Sequence, residues 1–344
     1  MNSGAVFDPG EGAMTTVWHP GKLLSTSSAY WQGCTLQAGV RLRVFSELAA
    51  GPCSAELLAE KIDCEPRSTG LLLDALSAMG LVSKQAEDYQ NSPEAQRFLV
   101  ESSPAYMGHI ILHHHHLVDG WAQLDSVVQS GEPVARRSYG AESERESFIM
   151  GMYNLSMQVA PEIAAQVDLG GRKLLLDLGG GPGTHAIHFC MNNPGLRATI
   201  FDRPTTEPFA RQTVSRFELA ERIDFAGGDF KTDPIPDGPY DVAWLSHVLH
   251  SNTLDECYRI IEKCVAAMNS GGVILIHDFI LQDTKDGPEF PALFSLNMLL
   301  AGNGGRSYSQ QEIFDMLASA GVGQLQRHPF RAKNDSSIIS GSVD

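Results

Sequence analysis

The residues in this chain whose types and spacing could do chemistry fall at the ends of successive apolar runs. Leu174-Leu175-Leu176 leads into Asp177-Leu178-Gly179-Gly180-Gly181-Pro182-Gly183. That pattern is a strand running into a glycine turn that opens a helix, where a ligand must approach the backbone closely. Pyrophosphate-binding turns are related but follow a G-x-G-x-x-G register, which is missing here. Instead Asp177 precedes the glycines and Pro182 interrupts them, so this acidic strand end suits a cationic ligand. Asp202 closes the run Ala198-Thr199-Ile200-Phe201 and is placed to accept hydrogen bonds from ribose hydroxyls. Gly228-Asp229-Phe230 adds a carboxylate and a ring for a purine, and Val242–Leu249 leads to His250. Each has a plainer alternative: Asp202 as a helix cap, Asp229 in a solvated turn, His250 in the core. Four such features in order at strand ends, where doubly wound sheets bind ligands, favour the functional reading.

Histidine is the residue type suited to taking a proton from a hydroxyl near neutral pH, and His250 is the candidate general base. An acidic neighbour would orient the ring, and Asp278 follows the run Ile274-Leu275-Ile276-His277. The run His113-His114-His115-His116, with His109 one turn earlier, invites a metal. On a helix consecutive residues point about 100° apart, so at most two share a face, and the run itself contains no carboxylate at ligand spacing. No metal is expected there. His113, His116, Trp121, Tyr153, Asn297 and Arg306 are instead the candidate lining of an acceptor pocket, Arg306 and the histidines as partners for an acceptor's carboxylate. The alternative for the histidines, methionines and aromatics of this stretch is ordinary core packing.

The elements that must position these groups divide the chain. Residues 1–24 carry no basic n-region or apolar h-region and read as a loose tail rather than a leader. Residues 25–103 read as short helices closed by a β-ribbon, a winged-helix pattern. Apolar positions recur at helical spacing in Pro52–Ala59 and Arg67–Met79, with Ser54 as N-cap and Gly80 as the stop. Residues 104–168 read as helical and as contributors to the acceptor pocket. From 169 to 344 short apolar runs alternate with amphipathic helices such as Leu254–Met268, which means a parallel, doubly wound α/β sheet. Gly323–His328 and Ser336–Val343 are candidates for a closing pair of strands.

Composition narrows the partners. The chain has 344 residues, 43% of them hydrophobic, and a formal net charge of −16. Nucleic-acid affinity rests on Lys and Arg displacing counterions, and residues 51–100 carry four basic side chains against eight acidic ones. The helical module is therefore expected to bind protein rather than DNA. No apolar stretch approaches the roughly 20 residues of a membrane span. Cys34, Cys53, Cys64, Cys190, Cys257 and Cys264 are scattered without C-x-x-C spacing, which fits a reducing cytoplasm.

Asp177–Gly183, Asp202-Arg203-Pro204, Gly227-Gly228-Asp229-Phe230 and His247-Val248-Leu249-His250 together resemble the caffeate and hydroxyindole O-methyltransferases and their bacterial polyketide-tailoring relatives. The likeness covers nearly the whole chain. It implies a Rossmann-like class I methyltransferase sheet behind a winged-helix dimerisation domain, hence a homodimer acting on a small molecule at a metal-free site. It also implies S-adenosylmethionine held by Asp177, Gly179, Gly181, Asp202, Asp229 and Phe230, and His250 as catalytic base with Asp278 at the family's second acidic position. Gly304-Gly305-Arg306-Ser307 resembles the family's C-terminal substrate segment. Two departures stand out. Ser246 occupies a position near the cofactor at which the family often has Lys, and Ser251-Asn252 follows His250 where Asp-Trp is usual.

The second departure opens a different acceptor class. A thioether sulfur attacks without a general base, so a small acid such as methylthiohydroxybutyrate, on the route to dimethylsulfoniopropionate, is the alternative to a hydroxyl. Two other readings differ in kind: a ligand-sensing winged-helix regulator that kept a cofactor domain, and a relative that keeps the cofactor for other chemistry.

Overall fold

The computed structural model describes residues 17–344 apart from 136, 237, 333 and 334. Two compact units divide at Val100 and Glu101. The first comprises α1 (Pro20–Ser27), α2 (Tyr30–Arg41), α3 (Val44–Leu48), β1 (Cys53–Ser54), α4 (Ala55–Lys61), α5 (Pro66–Ala78), β2 (Val82–Gln85), β3 (Asp88–Asn91) and α6 (Pro93–Phe98). The expected ribbon is β2 paired antiparallel with β3, and β1 adds a third strand on β3. Ser54 caps α4 as the sequence predicts, its hydroxyl accepting from the Leu57 N–H. Phe45, Leu58, Leu73 and Leu76 fill the centre of this unit. The tail assignment needs correcting at its end: α1 begins at Pro20, within the described part of 1–24, because His19 caps it and proline opens its first turn.

The second unit opens with α7 (Gly108–Trp121), α8 (Leu124–Ser130), α9 (Ala141–Ser156) and α10 (Ala160–Gln166). It continues with β4 (Leu174–Leu178), α11 (Thr184–Asn192), β5 (Arg197–Asp202), α12 (Glu207–Arg216), β6 (Ile223–Gly227), β7 (Tyr240–Ser246) and α13 (Leu254–Ala266). Then follow β8 (Met268–Phe279), α14 (Glu289–Ala301), α15 (Gln310–Ser319), β9 (Val322–Arg331) and β10 (Ser336–Val343). The seven-stranded sheet has the order β6-β5-β4-β7-β8-β10-β9. Its first five strands are parallel, and β10 runs antiparallel to both β8 and β9.

Helices cover both faces of the sheet, so the central strands are apolar on both sides. Leu176, Leu178 and Leu245 face one core with Cys257, Ile260, Ile261 and Cys264 of α13. Leu175, Val242 and Trp244 face the other with Ile187, Phe189 and Cys190 of α11. A capping box between Thr253 and Glu256 starts α13. Among the described residues no helix is long and apolar enough to cross a membrane.

Candidate active site

The carboxyl ends of five parallel strands converge on one crevice. In-register pairing sets Asp202 beside Gly227 and Ser246 beside His277, while Asp177 lies between Ile200 and Trp244. At the first strand end Asp177 is buried, and its Oδ2 accepts the Ala186 N–H from the first turn of α11. Burial pushes this carboxyl up to about 7, with Asp202 adding to the rise. Its Oδ1 is buried without a partner, as are Thr184 Oγ1 and His185 Nδ1 nearby in sequence. Gly183 caps α11 with φ 78°, and a Cβ there would meet Ile200 Cδ1 at 2.4 Å. No other residue fits that turn.

Asp202 braces the glycine run, its Oδ2 accepting from the Gly181 N–H at 2.8 Å and its carbonyl from the Gly228 N–H at 2.9 Å. Asp229 Oδ1 accepts the Lys231 N–H, which fixes its loop. Phe230 Cε1 lies 3.5 Å from where a Cβ on Gly179 would stand, so ring and glycine turn face each other. Unmet acceptors at an acidic strand end, a turn without side chains and an aromatic wall fit a cationic nucleoside. Ser246 does not join them in the expected way. Its hydroxyl is hydrogen-bonded to His277 Nδ1 at 2.9 Å and His185 Nε2 at 3.3 Å, so it is committed to the interior. His277 Nε2 bonds Ser336 in turn, and burial holds both imidazoles well below the ordinary histidine range, His185 at about 3.

Beyond β7 the chain turns through His247, at φ 57°, to place His250 over the end of β8. His250 Nδ1 donates to Asp278 Oδ1 at 2.6 Å, and the His250 N–H donates to Oδ2 at 3.3 Å. The Phe279 N–H also donates to Oδ1. Burial alone would raise the Asp278 carboxyl, but the imidazoles of His250 and His247 beside it hold it far below the carboxylate range. With its proton on Nδ1, His250 has a bare Nε2, the tautomer a base requires. Phe279 stacks with His250 at 6.0 Å between ring centres, Phe294 stands edge-on to it at 4.8 Å, and Phe290 packs on both phenylalanines.

The candidate acceptor residues spread over three helices. Trp121 Nε1 of α7 donates to Asn297 Oδ1 of α14 at 3.2 Å. His116 is hydrogen-bonded to Ser147 of α9 and stacks on Tyr139, and His113 stands edge-on to Phe148. Tyr153 is half-buried on α9. Arg306 is a correction: its guanidinium grips Glu312 with two hydrogen bonds, of 2.7 and 3.0 Å, so it is no free partner for an acceptor's carboxylate. Sequence reasoning missed the phenylalanine wall and the Ser246–His277–His185 layer. The i, i+4 spacing of Phe290 and Phe294 on α14 was the available signal. It also gave no role to His247, one ring nitrogen of which lies with a ring nitrogen of His250 and a carboxylate oxygen of Asp278, all within 4.8 Å of one another.

Comparison with known proteins decides the family. Residues 121–323 match the model of the O-methyltransferase domain and residues 24–101 that of the O-methyltransferase dimerisation domain. The chain belongs to the O-methyltransferase family. It is 31% identical over 339 residues to a 3-hydroxy-5-methyl-1-naphthoate 3-O-methyltransferase of Streptomyces sahachiroi, covering 96% of this chain and 98% of that one. It is 34% identical to the tetracenomycin polyketide synthesis 8-O-methyl transferase TcmO of Streptomyces glaucescens, covering 89% and 92%. The structure of human N-acetylserotonin methyltransferase in complex with SAM superposes with a TM-score of 0.82 at 26% identity, over 95% and 99% of the two chains.

Proposed function

We propose that this O-methyltransferase carries the methyl group of S-adenosylmethionine to a hydroxyl of a small, flat acceptor, with His250 as general base. The 2.6 Å hydrogen bond between His250 Nδ1 and Asp278 carries the reading. It sets the tautomer and supports the charge that the imidazole gains on taking a proton. The cofactor, when bound, supplies a methyl carbon activated by its sulfonium. The unmet Asp177 Oδ1, the turn at Gly179 and Gly181, Asp202, Asp229 and Phe230 are the groups proposed to hold it. Ser246 acts one layer behind, through His185 and His277.

His250 Nε2 takes the acceptor's proton as the oxygen attacks the methyl carbon, and Asp278 holds the resulting imidazolium. The wall of Phe279, Phe290 and Phe294 suits an aromatic ring, with Trp121, Asn297, His113, His116 and Tyr153 as the farther lining. The relatives above act by name on a naphthoate and in polyketide synthesis, which supports such an acceptor. The dimerisation domain supports a homodimer. Val17, Trp18, Leu23, Leu24, Tyr30 and Trp31 are exposed on the first unit and supply an apolar face for it. Scattered free cysteines and the acidic charge fit a cytoplasmic enzyme that engages neither nucleic acid nor membrane.

The test is transfer from labelled S-adenosylmethionine to phenolic hydroxyls and, separately, to small thioether acids, for native protein and His250→Ala. Transfer to hydroxyls that drops by about 10²–10⁴ in the variant, with cofactor affinity retained, is the expected result. Transfer to sulfur that survives the substitution would overturn the base role.

A further inference from the structure

His247 and His250 flank the turn after β7, and Asp278 is the last residue but one of β8. One ring nitrogen of each histidine and a carboxylate oxygen of Asp278 lie within 4.8 Å of one another. Among the described residues no other three histidine, cysteine or acidic side chains meet this spacing. One donor is only loosely engaged. His247 Nδ1 is buried without a hydrogen bond, 3.5 Å from Asp278 Oδ1 in poor alignment. Its backbone sits at φ 57°, the left-handed region that residues with a Cβ avoid, so the turn holds this ring against local preference. His277 does not compete, because Ser246 and Ser336 engage both of its nitrogens.

We propose that His247, His250 and Asp278 form a zinc-binding site, and that zinc there silences the enzyme. Two imidazoles and one carboxylate suit a borderline divalent ion, with a fourth position left for water. Bonds of about 2.0–2.2 Å place tetrahedral ligands about 3.4 Å apart. That separation lies between the 2.6 Å of the His250–Asp278 pair and the 4.8 Å limit of the group, so the rings must shift by on the order of 1 Å. His247, whose side chain is 24% exposed, gives the ion a route in. On binding, the proton on His250 Nδ1 passes through solvent to Nε2, and the freed Nδ1 lone pair goes to the ion. Nε2 then carries the ring's single proton and has no lone pair to accept the acceptor's proton. This silencing rests on His250 as base; the binding does not.

The experiment titrates full-length protein with Co²⁺, whose visible absorption reports four- or five-coordinate ligation, and then displaces it with Zn²⁺. His247→Asn and His247→Gln are compared with native protein, each first shown to bind S-adenosylhomocysteine. The expected result is one Co²⁺ per chain, bound at least about tenfold more weakly in both variants. In parallel Zn²⁺ inhibits methyl transfer, a chelator restores it, and half-inhibition in each variant needs correspondingly more zinc relative to its own metal-free rate. Absence of the absorption, or an affinity unchanged in both variants, would overturn the site. Binding lost with His247 but without any effect of zinc on native turnover would overturn the silencing, and would count against His250 as base.

Discussion

His250 depends on Asp278 for both its proton and its orientation. The carboxylate takes the ring N–H on Oδ1 and the backbone N–H of the same residue at Oδ2, while the Phe279 N–H anchors it from its own strand. An amide can keep the shape but not the charge, and its NH₂ would favour the wrong imidazole tautomer. Asp278→Asn is therefore expected to cut kcat by about 10²-fold or more with little change in the cofactor's Kd. Stopped single-turnover rates against calorimetric cofactor binding separate the two, and a kcat near that of the native protein would show that Asp278 only holds the fold. Asp278 was legible only through the family resemblance, which has a second acidic position after the strand that carries Ile274-Leu275-Ile276. His247 was not, since its place depends on a left-handed residue that no spacing announces. Arg306 was misread for a related reason: a charge seen in sequence does not reveal the Glu312 six residues later that engages it.

At the scale of elements, the turn carrying His250 is pinned from below. Tyr308 Oη donates to the Asn252 carbonyl at 2.7 Å, and Asn252 Nδ2 donates to the Val248 carbonyl at 2.7 Å. Gly305 then lies flush against the same turn. A Cβ there would fall 2.1 Å from the His250 carbonyl oxygen and 2.9 Å from the Asn252 nitrogen, and neither backbone atom can step aside alone. Gly305→Ala should lower kcat by about 10²-fold, the effect of an ångström's misplacement of a catalytic group. It should also cost about 1–3 kcal/mol of stability as overpacking. Thermal melting and saturated kcat check both, and a variant with native kcat would mean the turn is loose. The strands whose ends build the crevice were readable to different degrees. β4, β5, β7 and β8 are covered on both faces and show continuous apolar runs. β6 is the sheet's edge, half exposed, and Ile223-Asp224-Phe225-Ala226-Gly227 has no such run to read. Only the Gly-Asp-Phe beyond it gave the strand away.

At the scale of the whole molecule, the cofactor crevice couples to stability through Asp177. Buried, with one oxygen unmet, this carboxyl is pushed up to about 7 from an ordinary 3.8. The unfolded chain releases that proton near its ordinary pKa while the folded chain keeps it, so the folded state binds the extra proton through the interval between. Its contribution is fully present below about pH 4 and is lost as pH rises through about 7. His185 and His277 have the opposite sign. Held neutral by burial, they contribute above the ordinary histidine pKa and lose it as pH falls, His185 down to about 3. The two trends overlap in a single melting curve, so the informative quantity is native protein minus Asp177→Asn. Cofactor-free native protein is expected to lose more melting temperature than the variant between about pH 5 and about pH 8. S-adenosylmethionine should shrink that difference, because its positive charge beside Asp177 favours the carboxylate and lowers the pKa again. Differential scanning calorimetry across this range, with and without cofactor, measures it. Parallel curves would mean that Asp177 is already ionised in the empty crevice, and that the acidic strand end is satisfied by the protein alone rather than waiting for a cation.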